Sequence, residues 1–238
     1  MFKAALYVGG RIVVGHCHLD AYQQLTDAEK DSDLVSGFYN PHSEEFMSDM
    51  DKDHFYNKEM YLVRHGRVGD CESSDPDLSE EGRGSVGVAA QTLKDCEFDD
   101  AACYVSPMLR CLRTAAIIQE VMNVRFKIMP EVMETPSLNK SDEGFCVKNR
   151  HEEFPQFDWP QAKDWCIGPE EPGAFLERVK DTLKQLPARS IVVTHYGYIC
   201  NMAKLALCDN RAKLMIEAGI PTASVTYINR QMVRRLGP

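Results

Sequence analysis

Three apolar runs in this chain each end in side chains able to do acid–base or anion chemistry. Tyr61-Leu62-Val63 runs into Arg64-His65-Gly66, Cys103-Tyr104-Val105 into Ser106-Pro107 with Arg110 shortly after, and Ile191-Val192-Val193 into Thr194-His195-Tyr196-Gly197. Two histidines and two arginines gathered at one spot suit phosphoryl transfer. A guanidinium is planar and always charged; it binds phosphate oxygens in pairs and neutralises the charge on them in the transition state. A neutral imidazole can attack phosphorus in line when one ring nitrogen is free and a hydrogen bond on the other fixes the tautomer. Gly66 gives the chain the freedom to bring a backbone carbonyl into that second role. The leaving alkoxide needs a proton, and Glu131 and Glu134 in "MPEVMETP" are the carboxyl groups at that edge. Spacing alone does not choose between them.

Those residues meet only if the strands that carry them lie side by side, because an open α/β sheet binds ligands at the carboxyl ends of its strands. From Met60 onward, strand and helix signals alternate: "MYLVR", a helix in "LSEEGRGSVGVAAQTLKD", "ACYVS", a helix in "MLRCLRTAAIIQEVM", "VRFKIM", a helix in "GAFLERVKDTLKQL", "SIVVTH", a helix in "ICNMAKLAL", and "ASVTYINR" as the last strand. That order predicts an α/β fold with a mostly parallel sheet and helices on both faces. Ser79 is the expected N-cap of the first helix, with acids in its first turn, although Gly82, Gly84 and Gly87 weaken the helix signal. Between Glu134 and Glu170 lies an aromatic insertion with little periodicity, over 135–169, expected to pack as a lid. Upstream, "FKAALYV-GG-RIVVG" reads as a β-hairpin and residues 19–30 as a short helix. An acidic, turn-rich stretch follows, and a domain boundary falls near residue 58.

Composition narrows the class. With 27 basic and 36 acidic side chains the 238-residue chain carries a net charge of -9, which speaks against a general nucleic-acid or anionic-membrane partner and requires a local cationic pocket for any anionic ligand. A chain of this length buries on the order of 70% of its unfolded surface and needs no staples. Nine cysteines without a C-x-x-C pair suggest reduced thiols in a cytoplasmic protein. The N-terminal apolar run is broken by Gly9-Gly10, so neither a signal peptide nor a membrane span is expected. His16 and His18 could share one face of a strand and, read with Cys17 and Asp20, serve as metal ligands, but a polar strand face is the more common outcome of that spacing. Lys140, Lys148, Arg150 and His151 in the insertion are either contacts for an anionic substrate or a solvated charged loop.

The ordered series "LVRHG", "DLSEEG", "SPMLRCLRTA", "PEVMETP", "EEPGAFLERV" and "VVTHYGY" resembles the motifs of the histidine phosphatase superfamily, the branch that includes phosphoglycerate mutases, over roughly residues 60 to 230. The resemblance implies an α/β/α sandwich and a phosphohistidine intermediate. It implies His65 as nucleophile, Arg64 and Arg110 as phosphate clamps, and His195 as a second histidine that contacts the transferring phosphoryl group. It favours Glu134 over Glu131 as proton donor, since the donor follows the proline by four residues. Ser106, Thr114 and Glu170 match recurrent positions and read as scaffold: a strand-to-helix turn, a helix-face contact and a helix start.

The chain also departs from the mutase pattern. After Gly66 come Arg67-Val68-Gly69-Asp70 in place of an acidic or amide residue and an asparagine, and Ser85 replaces a frequent glutamine. The expectation is therefore a metal-independent phosphatase, with residues 59–238 as its catalytic domain, Arg67 as a candidate substrate contact and no cofactor. A mutase and a phospho-ligand adaptor working through the 1–58 extension are the alternatives. The expected partner is a small phosphorylated substrate or a phosphopeptide, with a homodimer also compatible.

Overall fold

Met60 to Val63 are buried on both faces of their strand, as a central strand covered by two helical layers must be. The computed structural model describes residues 4–8, 11–15, 58–70, 73, 75–96, 100–134, 145–147, 150–161, 165–167, 170–206, 219–229 and 232–236. Ten strands are present among them: β1 Ala4–Val8, β2 Arg11–Gly15, β3 Glu59–Arg64, β4 Ala102–Val105, β5 Phe126–Ile128, β6 Phe145–Val147, β7 Trp165–Ile167, β8 Arg189–Thr194, β9 Val225–Asn229 and β10 Met232–Leu236. The α-helices are α1 Glu80–Lys94, α2 Leu109–Met122, α3 Arg150–Glu153, α4 Pro172–Gln185 and α5 Tyr196–Ala206, with a 3-10 turn at Pro130–Val132.

Six strands form one sheet in the order β10-β9-β3-β8-β4-β5. β3, β8, β4 and β5 run parallel, and β9 and β10 add two antiparallel strands at one edge. The alternation of side chains along β3 divides the core. Tyr61 and Val63 join Val86, Ala90 and Leu93 of α1 and Leu112, Ala115 and Ile118 of α2. Met60 and Leu62 join Phe175, Val179 and Leu183 of α4 and Ile199 and Met202 of α5. The period of two along the strand is thus the reason for three layers, helices on each face of one sheet. Each fully buried Val, Leu, Ile or Met side chain among these is worth about 1.5–3 kcal/mol.

Register then places the chemistry. Arg64 pairs with Thr194 and Val105 with Val193, so β3, β8 and β4 finish level with one another. The ladder continues one step past the strands, where His65 N–H donates to Thr194 O at 3.0 Å and Ser106 N–H to Val193 O at 3.0 Å.

Several elements differ from the sequence reading. The last strand is β10, not β9; "NRQM" between them has none of the glycine signals of a tight turn. The insertion contains the β6–β7 ribbon and α3, elements of three or four residues, too short to show a period. Phe154 and Phe157 are core residues there, and Trp159 and Trp165 pack against the core. β1 and β2 pair antiparallel, with Val8 opposite Arg11, as the Gly9-Gly10 signal predicted. The predicted helix at 19–30, the acidic stretch, His16, Cys17, His18, Asp20, Lys140 and Lys148 lie outside the described residues. Cys96, Cys103, Cys111 and Cys200 are free thiols, but Cys166 is disulfide-bonded, against the expectation of reduced cysteines. Register sets Cys166 across from Cys146, a relationship that linear spacing does not show.

Candidate active site

His65 occupies the first position beyond β3 and is buried. Its Nδ1 lies 2.9 Å from the carbonyl oxygen of Gly66. A carbonyl only accepts, so Nδ1 carries the hydrogen and Nε2 presents a lone pair. The tie to a backbone carbonyl is the one that the tautomer argument required. Gly66, however, is needed for close approach and not for an unusual dihedral angle. A Cβ there would come within 2.7 Å of Val86 Cγ2 and 2.9 Å of Gly82 O, so α1 packs directly on this loop. Thr114 of α2 accepts from Gly66 N–H at 3.1 Å and donates to Arg110 O at 2.7 Å.

The corner is also held from the far side. Ala223, at a φ of 59°, directs its N–H to the carbonyls of Arg64 and His65, at 3.1 Å each. A left-handed alanine is uncommon and costs on the order of 1 kcal/mol. Here it lies where two consecutive carbonyls need a donor.

Burial pushes the His65 pKa down to about 3, and the guanidiniums of Arg110 and Arg64 push the same way against the Gly66 carbonyl. The ring is therefore neutral at neutral pH. His195 follows β8, is fully buried, and faces His65 with ring centroids 5.3 Å apart. Burial first, then Arg110, His65, Arg178 and Arg64, hold its pKa well below the ordinary histidine value. Its Nε2 is 2.9 Å from Ser106 Oγ and 3.4 Å from Cys111 Sγ. Ser106, read from sequence as a turn residue, thus contacts the second histidine directly. Burial raises the Cys111 pKa, so its thiol stays protonated.

Arg64 donates from Nη1 to Ile220 O and lies over the Tyr196 ring at 5.1 Å, while its buried Nε has no hydrogen-bond partner among the described residues. Arg110, in the first turn of α2, donates to Met108 Sδ at 3.3 Å and lies 3.7 Å from Asp75 Oδ1. Asp75 was not singled out in the sequence. It also accepts from Leu109 N–H at 2.8 Å and from Arg150 at 3.2 Å, linking α3 of the insertion to the arginine.

Glu134 comes from the loop after the 3-10 turn and accepts from Gly197 N–H at 3.0 Å. Its charge acts on Arg64 and Cys111, which places its carboxylate among the site groups. Glu131 contributes its backbone carbonyl to Arg178. Arg67 is exposed and pairs with Glu81 at 2.8 Å, and His151 packs edge-on against Trp159 at 6.2 Å. Glu170, expected at a helix start, pairs with Arg178, which the sequence reading missed. No local pattern marks either Arg178 or Asp75, because their partners come from distant segments.

A family model described as histidine phosphatase superfamily (branch 1) matches residues 60–234. The chain belongs to that superfamily. This makes it an enzyme of the phosphatase or mutase type. Among solved structures it is similar to mycobacterial glucosyl-3-phosphoglycerate phosphatase in complex with VO3, at 19% identity and a TM-score of 0.51, covering 76% of this chain and 98% of that one. It is also similar to a protein called mycobacterial hydrolase 1, at 17% identity and a TM-score of 0.51, covering 76% and 97%. A third likeness is to SixA from Agrobacterium tumefaciens, a candidate phosphohistidine phosphatase, at 14% identity and a TM-score of 0.51, covering 76% and 98%. At such identities the likeness shows the fold of the histidine phosphatases. No protein with a curated description matches this sequence. No helix among the described residues is long and apolar enough to cross a membrane.

Proposed function

We propose that this protein is a metal-independent phosphomonoesterase that works through phospho-His65. The observation that carries the reading is the bond from His65 Nδ1–H to Gly66 O at 2.9 Å, which leaves Nε2 of a neutral ring as the nucleophile. Arg64 and Arg110 hold the phosphate oxygens, and His195 donates to the transferring group as charge builds. Nε2 forms its bond to phosphorus as the ester P–O bond breaks, and the carboxyl group of Glu134 gives its proton to the departing oxygen. Water then attacks the phosphorus of phospho-His65 and gives a proton back to the Glu134 carboxylate as the P–N bond breaks, releasing inorganic phosphate and restoring both the imidazole and the acid.

Two observations favour release to water over transfer. Arg67 is engaged with Glu81 at 2.8 Å and Ser85 Oγ donates to Glu81 O at 3.0 Å. Arg67 and Ser85, two of the positions where the chain departs from the mutase pattern, are therefore engaged with Glu81 of α1, away from holding an intermediate. Arg67 as a substrate contact would require it to leave Glu81.

The test is to incubate the enzyme with labelled aryl phosphate, quench, and follow acid-labile protein phosphate together with phosphate release. Wild type should trap label on histidine and release phosphate, and His65→Ala should do neither. Full activity in His65→Ala would overturn the mechanism. With a labelled polyol phosphate in its place, transfer of label between substrate positions without free phosphate would identify a mutase instead, and binding without turnover an adaptor.

A further inference from the structure

Three consecutive backbone carbonyls lead into Glu134, and a side chain holds each of them. Arg178 Nη1 donates to Glu131 O at 2.5 Å and to Met133 O at 3.0 Å. Thr194, the last residue of β8 and the neighbour of His195, donates from Oγ1 to Val132 O at 2.7 Å. The other edge of the Arg178 guanidinium forks onto Glu170, with Nε to Oε1 at 3.0 Å and Nη2 to Oε2 at 2.6 Å. The Phe175 ring lies 4.6 Å from the guanidinium carbon. Both ion-pair partners are largely buried.

A fork this fully occupied fixes the guanidinium in position and plane. Its free edge then serves as a template for the loop. The carboxylate of Glu134 begins one residue beyond the last carbonyl that Arg178 holds, and ends on Gly197 N–H. We propose that Arg178, locked by Glu170, is a positioning residue that aims the proton donor. The proposal rests on the reading of Glu134 as that donor. Arg178 touches no reacting atom in this role; it acts through the backbone of 131–133. Lysine cannot substitute, since one ammonium cannot span a carboxylate and two carbonyls on opposite sides.

The consequence is specific to one step. Glu134 passes its proton to the ester oxygen as that oxygen leaves phosphorus. An alkoxide needs that proton, whereas an activated phenolate departs without it. Misaiming the donor therefore slows alkyl phosphates far more than nitrophenyl phosphate, and the difference appears in kcat/KM, which covers phosphorylation of His65 but not the later attack by water.

The experiment measures kcat/KM for wild type, Glu134→Gln, Arg178→Met, Arg178→Lys and Glu170→Gln over aryl phosphates of rising leaving-group basicity and one alkyl phosphate. Arg178→Met and Arg178→Lys should lose about 10²-fold on the alkyl ester, as expected for a small misplacement, and much less on nitrophenyl phosphate. Glu170→Gln, which keeps the arginine but loosens its fork, should fall between them and wild type, and it carries the test if the Arg178 variants do not fold. The double variant Glu134→Gln/Arg178→Met should be no slower on the alkyl ester than Glu134→Gln alone. A uniform loss across the series in the Arg178 and Glu170 variants, beside a steep dependence in Glu134→Gln, would reduce Arg178 to a structural role and sink this proposal. A flat dependence in Glu134→Gln itself would instead remove Glu134 as donor, and the proposal with it.

Discussion

His65 and His195 face each other with ring centroids 5.3 Å apart and planes inclined at 59°, and both lie in the field of Arg64 and Arg110. Burial, with this positive field adding to it, keeps both rings neutral in the free enzyme. A phosphate dianion between the arginines would cancel much of it and draw a proton onto the site, His195 being the ring left without a role as nucleophile. Phosphate binding at neutral pH should therefore take up protons. Calorimetric titration in buffers of different ionisation enthalpy measures this directly, and a binding enthalpy independent of buffer would contradict it.

The same depression makes folding sensitive to acid. His65 holds a pKa of about 3 against an ordinary 6.5, so between those values the unfolded chain binds a proton that the folded chain refuses. Stability is full above pH 6.5 and is lost as pH falls toward 3, by about 1.4 kcal/mol per pH unit for one such group in mid-window. Urea unfolding across that range should show a shallower acid loss in His65→Gln than in wild type.

The strand ends were legible in the sequence because everything that marks them is local: an apolar run that stops, then Arg-His-Gly or Thr-His. The layers followed from the same runs, since Met60 and Tyr61 had to face opposite ways. Glu134 needed the resemblance, because Glu131 has equal claim from spacing; in the structure the Glu131 backbone carbonyl accepts from Arg178 and the Glu134 carboxylate accepts from Gly197 N–H. Asp75 and Arg178 were not legible at all. Their work is to join segments that only folding brings together, and one of two acids in "DPDLS" or a lone arginine in a helix looks like ordinary solvated charge. The β6–β7 ribbon was hidden by the brevity of its strands.

Asp75 is the counter-charge through which Arg110 and Arg150 meet, at 3.7 and 3.2 Å. Asp75→Asn keeps a group able to accept from Leu109 N–H but removes the charge that aligns the two guanidiniums. Inhibition by inorganic phosphate should weaken by about 10-fold, and stability should drop by about 1.5–3 kcal/mol for a lost charged hydrogen bond. Tighter phosphate binding in the variant would mean that Asp75 attenuates Arg110 instead of orienting it.

Gly197 has a different constraint. A Cβ there would overlap Glu134 Oε1 and come within 3.2 Å of the Phe175 ring. The obstacle is the mobile end of a side chain, so Gly197→Ala should fold with a stability change of about 1 kcal/mol or less. Glu134 would be displaced from its amide, and kcat/KM on an alkyl phosphate should fall by about 10²-fold. Comparing thermal melts with rates separates the two effects, and an unimpaired rate would show that the carboxylate does not need this seat.

Gly82 and Gly84 belong to the same helix and invite opposite expectations. A Cβ on Gly82 would overlap the backbone oxygen of Arg67, and its other close neighbours are also Arg67 backbone atoms. Backbone cannot swing aside, so Gly82→Ala must push α1 away from the loop that carries His65, at about 1–3 kcal/mol or more. On Gly84 a Cβ meets nothing within 4 Å, so Gly84→Ala only removes unfolded-state freedom and should stabilise by about 0.4–1 kcal/mol. Because Ser79 N–H donates to Arg67 O at 2.9 Å, the Gly82 variant should also disturb the helix N-cap and, through Gly66, the carbonyl that holds His65 Nδ1. Activity should therefore fall with stability in Gly82→Ala and stay level in Gly84→Ala. Equal melting temperatures for the two variants would contradict the close packing of α1 on the His65 loop.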